Sequence, residues 1–505
     1  MLRTHYLHPL LEPKSLAIIG ASEKPGSIGH VILQNILASG FKGQLWAVNP
    51  KHSEILGQAC LPSIEQIGSR VDLAIVTTAP RTIPLIIEQC SKAGVQHLVI
   101  VSNPASAGGS SATHERRIRD AARNFGVRIL GPKSLGIIRP SIALNATFTE
   151  IVAKPGDLAL VAQSGAMCAA VLDWATMNKI GVSSVVALGA AMDVDFGEIL
   201  DYLVADEQTR YILLHVERVR HARKFMSALR SAARVKPVIL LKSGNHGAEE
   251  ALESSFGQSP LDDAVFDAAV RRAGVVRVHS ISQLFHAAKA LASGFHPRGN
   301  QLAIISNGTG PAAMAADSAR TLGIPMPKLA PETISTMKKF LPHDWAGGVP
   351  IDLGGDATPE RYLQAISALA GDAHVDAILV VLSPLAMAQP KRVAEGIVEL
   401  VRNQRITLCC CFMGGEQISE ARRILEAAGI PVFLTPDTVI ELFHSISKYY
   451  QNQKLLLQTP GPNQNMELSA TNNARPLLDA LLGEHRQILS GMESRTLLHS
   501  FGIAV

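Results

Sequence analysis

Short apolar runs alternate with longer amphipathic stretches along most of the 505-residue chain, and Gly, Pro, Asn or Ser separates one from the next. That rhythm predicts strands followed by helices, the βαβ unit of a parallel sheet covered on both faces. The predicted strands fall into three sets. The first is Ser15 to Ile19, Gln44 to Val48, Leu73 to Thr77, His97 to Val101 and Arg128 to Leu130. The second is Asp157 to Val161, Ser184 to Leu188, Tyr211 to Val216 and Val238 to Leu241, and the third is Gln301 to Ser306, Ala377 to Leu382, Thr407 to Phe412 and Pro431 to Leu434.

Loop-forming stretches at Lys154-Pro155-Gly156 and from Ser293 to Gly299 divide the sets. The expected domains are 1–152, 153–296 and 297–450, with 451–505 as a polar linker, a helical pattern from Ala474 to Leu489, and the start of a further unit at Glu493. The fold class is therefore α/β throughout.

Charge adds little to this picture, because 47 Lys and Arg stand against 43 Asp and Glu without a block of one sign. Nucleic acid and anionic membrane are not expected partners. The opening Met1 to Tyr6 lacks a signal-peptide core, and no stretch approaches about 18 uninterrupted apolar residues, which predicts a cytoplasmic protein. Cys409-Cys410-Cys411 prolong an apolar run and, with Cys60, Cys90 and Cys168, lack metal-ligand spacing, so they read as small hydrophobes and no metal is expected.

Candidate chemistry begins after the first strand, at Gly20-Ala21-Ser22, with Gly26 and Gly29 ahead of a helix that includes Val31 to Leu37. Small residues there let backbone approach a pyrophosphate at the helix N-terminus. A nicotinamide-dinucleotide domain places an acid at the end of its second strand, where this chain has Asn49-Pro50-Lys51. Lys51 suits an added phosphate instead, such as the one on the ribose of coenzyme A. The later strand ends, Thr78-Ala79-Pro80, Ser102 and Lys133, should line the same crevice.

Pro13-Lys14-Ser15, Ile19-Gly20-Ala21-Ser22, Val48-Asn49-Pro50-Lys51 and Gly131-Pro132-Lys133-Ser134 resemble the coenzyme-A-binding domain of the nucleoside-diphosphate-forming acyl-CoA synthetases, relatives of the succinyl-CoA ligase alpha subunit. The resemblance continues through Ala162-Gln163-Ser164-Gly165-Ala166, Asp193 to Phe196, Lys242-Ser243-Gly244, Ser306 to Pro311 and Ile351-Asp352-Leu353. It implies a Rossmann-like coenzyme-A domain followed by two flavodoxin-like domains. It also implies a phosphoryl group carried on a histidine to an ATP-grasp domain, a phosphate loop at Gln163, Ser164, Gly165 and Ala166, and Glu217 as the carboxylate that steadies the histidine.

One departure bears on chemistry. The family's Ser-His-Thr-Gly reads Ser254-Ser255-Phe256-Gly257, so Ser255 holds the phosphohistidine position. A serine hydroxyl lacks the ring nitrogen whose phosphoramidate passes its phosphoryl group onward. Glu217 would then be vestigial, and His246 lies outside the carrier loop. Ala190 and Lys133 replace the family's usual asparagines.

Synthetase architecture without the histidine resembles the synthetase-like region of bacterial protein lysine acetyltransferases. The leading expectation is a module binding coenzyme A or acetyl-CoA, the sensory part of such an acetyltransferase, not catalytically competent by itself. The alternative is the alpha-type subunit of a nucleoside-diphosphate-forming acetate or acyl-CoA ligase working with an ATP-grasp partner, and a second alternative is a nicotinamide-dependent oxidoreductase. Glu493 to Val505 resembles the opening helix of an ATP-grasp domain, so ATP or ADP would enter only through an absent or partner ATP-grasp domain. A CoA thioester, an ATP-grasp or acetyltransferase chain and a second copy of the chain are the expected partners.

Overall fold

The strands that head the three predicted sets are apolar at nearly every position, and each lies inside a sheet whose two faces are covered. This is the signature of parallel strands with helices on both sides. The computed structural model describes residues 5–103, 111–244, 260–297, 299–343, 345–404, 406–457, 469–484, 486, 488–501 and 503. Packing divides the chain into Met1–Gln453 and Lys454–Val505.

The first sheet has seven strands, in the order Glu54–Ile55, Gln58–Leu61, Gln44–Val48, Ser15–Ile19, Leu73–Val76, His97–Ile100 and Arg128–Leu130. All pairings are parallel except that of the short hairpin Glu54–Ile55 with Gln58–Leu61. Ile19 is level with Val48 on one side and Val76 on the other, so the loops that follow open on one edge. The chain leaves Ser15–Ile19 towards one side of the sheet and returns on the other, which makes this the topological switch point where open α/β sheets bind ligands.

The second sheet runs Val276–Val278, Val238–Lys242, Tyr211–Val216, Pro155–Ala162, Val182–Ala187, Gly136–Arg139 and Leu144–Thr147. Its last two strands are antiparallel and come from sequence grouped above with the first domain. The seam between the first two sheets thus falls near Gly131–Leu135, ahead of the Lys154-Pro155-Gly156 turn. All eight residues of these two strands are buried, so no alternation betrayed which sheet they join.

Two ionic groups close that seam. Arg139, 2% exposed, reaches Asp206 at 2.7 Å through both terminal nitrogens and Glu12 at 2.7 Å. Arg128 reaches Asp193 at 2.9 Å and Glu198 at 2.7 Å. Burial opposes ionisation of Glu198, but hydrogen bonds from Arg128 and Lys224 outweigh it and hold the carboxyl below its ordinary value.

The third sheet has five parallel strands, Ile351–Asp352, Leu302–Ser306, Ala377–Leu382, Leu408–Phe412 and Val432–Phe433. Cys409, Cys410 and Cys411 are fully buried in it, and burial raises all three thiols. In Lys454–Val505 the helices are Ser469–Gly483 and Gly491–Ser500, the latter started by a Ser490–Glu493 capping box. Among the described residues no helix is long and apolar enough to cross a membrane, and no three His, Cys, Asp or Glu side chains group as metal ligands do.

Candidate functional site

Gly20 ends the central strand with φ of 94°, a conformation L side chains rarely adopt. A Cβ there would stand 2.7 Å from Thr77 Oγ1 and 2.9 Å from Thr78 Cγ2. Gly29 plays the matching part on the helix Ile28–Ser39, where a Cβ would stand 2.1 Å from the Gly20 carbonyl oxygen. The two glycines let the helix N-terminus rest directly on the loop, the close approach a pyrophosphate site requires.

Hydrogen bonds hold the loop from three sides. Gly20 N donates to Val48 O at 2.9 Å, Asn49 Nδ2 donates to Ala21 O at 2.7 Å, and Thr77 Oγ1 donates to Gly20 O at 3.0 Å. His30 Nδ1 lies 3.0 Å from Ser22 O. Asn49 also accepts from Lys51 N at 2.9 Å, an Asx turn that leaves Pro50 and Lys51 exposed at the rim. The sequence marks Asn49 as the place of a missing acid and Thr77 as the end of a strand bordering the crevice; the structure makes both of them clamps on the loop. A polar residue directly after each strand was the available signal.

The other crevice residues follow. Thr78 accepts from Thr82 at 3.0 Å, and its carbonyl accepts from Ser102 Oγ. Ala79 is exposed and Pro80 buried at the start of a single turn. Lys133 is held at φ of 61°, its amide on Ser102 O at 3.2 Å and its ammonium 3.7 Å from Glu115. Ala190 N donates to Pro132 O at 2.8 Å, and Met192 N to Gly131 O at 3.3 Å. The loop edge of the first sheet therefore abuts a loop at the strand ends of the second.

On the second sheet Ser164 caps the helix Gly165–Met177, its hydroxyl accepting from Met167 N at 3.3 Å. Gln163 is turned inward: its carbonyl accepts from Glu217 N at 2.7 Å and Arg218 N at 2.8 Å, and its amide donates to Arg218 O at 2.8 Å. It clamps the loop that carries Glu217, while Ser164 and Gly165 are half-buried and Ala166 is exposed at the start of the helix. Burial raises the Glu217 carboxyl above its ordinary value. His215, buried beneath, has Nε2 3.2 Å from Ser243 Oγ, and burial lowers its imidazole to about 4. No motif pointed to it. Ser255 and His246 lie outside the described residues.

Crevice and sheets together define a class, a coenzyme-A-binding protein of ligase architecture. Residues 14–140 match the CoA binding domain family, and residues 155–291 match the succinyl-CoA ligase like flavodoxin domain. The chain is 35% identical to acetate–CoA ligase (ADP-forming) I of Archaeoglobus fulgidus over 499 residues, 98% of this chain and 71% of that one. It is 32% identical over 454 residues to the alpha subunit of acetate–CoA ligase (ADP-forming) I of Pyrococcus furiosus, 88% of this chain and 97% of that subunit. The structure of the dinucleotide-forming acetyl-coenzyme A synthetase 1 of Ca. Korarchaeum cryptofilum, solved with phosphate and ADP, superposes with a TM-score of 0.83 at 28% identity, covering 90% of this chain and 99% of that one.

The chain belongs to the nucleoside-diphosphate-forming acyl-CoA synthetase family. Its homology is to the alpha-type part of these ligases, which favours the ligase alternative over the leading expectation. These relatives lend no support to the expected tie to protein lysine acetyltransferases. The match of residues 14–140 likewise favours coenzyme A over a nicotinamide dinucleotide.

Proposed function

We propose that this chain is the alpha-type part of a nucleoside-diphosphate-forming acyl-CoA ligase, binding coenzyme A or its thioester at the first sheet and working with an ATP-grasp partner chain. The observation that carries the proposal is the alignment with an alpha subunit along 97% of that subunit's length. Bound coenzyme A supplies a thiol that takes up or releases an acyl group. The chain's residues position it: Gly20, Ala21 and Ser22 lie against the pyrophosphate, Pro50 and Lys51 meet the ribose end, and Thr78, Ala79, Pro80, Ser102 and Lys133 line the path. The amides of Ser164, Gly165 and Ala166 at a helix N-terminus suit a phosphate, with Glu217 beside it retaining a proton more readily than an ordinary carboxylate.

Ser255 favours a second reading, a module that binds the thioester and passes no phosphoryl group onward, the sensory role expected beside an acetyltransferase. The experiment combines the chain and an ATP-grasp subunit with acetyl-CoA, ADP and phosphate, then follows ATP, and repeats the assay with Ser255→His. ATP formation by the unaltered chain supports the ligase reading. Coenzyme A binding without ATP, with acid-labile phosphate on the chain only in Ser255→His, overturns it in favour of the second.

A further inference from the structure

A cavity of 430 Å³ lies beside strand Val276–Val278, which forms one edge of the second sheet. Helix Pro260–Arg272 lines it with Asp267 and Arg271. Helix Pro436–Leu457, which follows the last strand of the third sheet, lines it with Glu441, His444 and Lys448, spaced three and four positions apart and so on one helix face. Val275, Val276 and Leu322 are its apolar lining. The volume falls in the range of pockets that take small organic molecules, and a junction between domains is where such pockets occur.

The walls are held in place by the protein itself. Tyr449 donates its hydroxyl to Ala233 O at 3.2 Å, and Gln283 donates its amide to Glu441 at 3.0 Å. Leu213 and Leu284 of the second-sheet part share one apolar core with Val439 and Phe443 of the long helix. A cavity built this way loses little freedom when it is filled.

Its charges are unevenly matched. Arg277 donates to both carboxylate oxygens of Asp263, at 2.6 and 2.9 Å. Asp267 is taken by Arg271 and, at 3.5 Å, by Arg277, and Glu441 is taken by Gln283. Lys448 stands seven residues beyond Glu441, about 10 Å along the helix, and among the described residues no acid bonds to it. Burial and the Lys448 ammonium together lower the His444 imidazole, as an uncompensated positive charge does. An unmatched ammonium above an apolar floor selects an anion that carries an apolar body, because a bare inorganic ion would leave Val275, Val276 and Leu322 against water.

We propose that this cavity binds a small organic carboxylate, with the carboxylate against Lys448 and the apolar body against Val275, Val276 and Leu322. The site shares no residue with the crevice at Gly20 and does not rest on the coenzyme-A reading. Because one wall comes from the second-sheet part and the other from the third, an occupant ties the two together.

Calorimetry with the full chain tests this with 3-phenylpropionate, its uncharged amide and inorganic phosphate as probes, on wild type, Lys448→Ala, Lys448→Arg and Ser445→Phe, the last of which fills the cavity. Wild type should bind 3-phenylpropionate saturably, the amide about tenfold more weakly and phosphate not at all. Lys448→Ala should lose about tenfold for the acid alone, Lys448→Arg should keep most of the affinity, and Ser445→Phe should lose both organic probes. Lys448 is exposed, so Lys448→Ala decides the matter even if Ser445→Phe fails to fold. A wild type that does not bind 3-phenylpropionate overturns the proposal, as do equal affinities for acid and amide, phosphate binding that Lys448→Ala abolishes, or a Lys448→Ala protein that binds the acid as tightly as wild type.

Discussion

Replacing Gly29 by alanine should reverse an ordinary rule. Within a helix, alanine is favoured over glycine by about 1 kcal/mol, so the substitution would normally stabilise. Here the new Cβ would lie 2.1 Å from the Gly20 carbonyl oxygen and 3.1 Å from Thr77 Oγ1. Carbon and oxygen in contact need roughly 3.3 Å, so helix and loop must part by about 1 Å. Neither gives way cheaply, because Gly20 is tied to Val48 and Thr77, and Ile32, Leu33 and Ile36 of the same helix are fully buried. Overpacking of this kind costs about 1–3 kcal/mol and the lost Thr77 bond about 1 more, against the 1 gained, for a net loss of about 2 kcal/mol.

Thermal unfolding followed by circular dichroism should show the loss, and calorimetry should show coenzyme A affinity falling by about tenfold or more as the loop leaves the helix N-terminus. Gly396→Ala is the control. It also adds a Cβ within a helix, Pro390–Asn403, but at 2.4 Å from Leu363 Cδ1, the movable end of a side chain. It should stay within about 1 kcal/mol of wild type. A Gly29→Ala protein that melts at or above the wild-type temperature and binds coenzyme A equally well would refute the close-approach reasoning.

Two further expectations concern buried charge. Arg139→Met strands Asp206 and Glu12 at the seam and should cost about 3–5 kcal/mol in denaturant titration, with part regained in Arg139→Met/Asp206→Leu. Burial opposes ionisation of Asp206, but Arg139 and Thr209 outweigh it and lower its pKa, so the pair's contribution is present above the ordinary carboxylate range and fades as pH falls below it. For His215 the folded pKa of about 4 lies below the unfolded 6.5. Between these values the unfolded chain binds a proton that the folded chain refuses, so stability declines as pH falls from 6.5 to 4, by roughly 3 kcal/mol in all. His215→Phe should flatten that part of the urea-unfolding profile; an unchanged slope would show that another group sets it.

Much of this was legible in the order of residues. Parallel strands buried on both faces read as unbroken apolar runs, so Ser15–Ile19, Tyr211–Val216 and Ala377–Leu382 announced themselves, and Gly20 marked the loop because a side chain there would meet Thr77 and Thr78. Local pattern could not say which sheet a short buried hairpin joins, and Gly136–Arg139 and Leu144–Thr147 went to the second one. Nor could it give Gln163 its task, since a glutamine beside a family phosphate loop reads as a ligand until its amide is seen holding the Glu217 loop.

By itself, then, the sequence determined the α/β class, the three sheets, the glycine turn after the first strand and the serine at the family's histidine position, all of which follow from periodicity or from residues adjacent in the chain. Tertiary structure alone decided the seam at Arg139, the inward turn of Gln163, the burial of His215 and the approach of Lys133 to Glu115. Those depend on side chains separated by tens of residues or more, whose proximity is settled by how the sheets pack and by no property of their immediate neighbours.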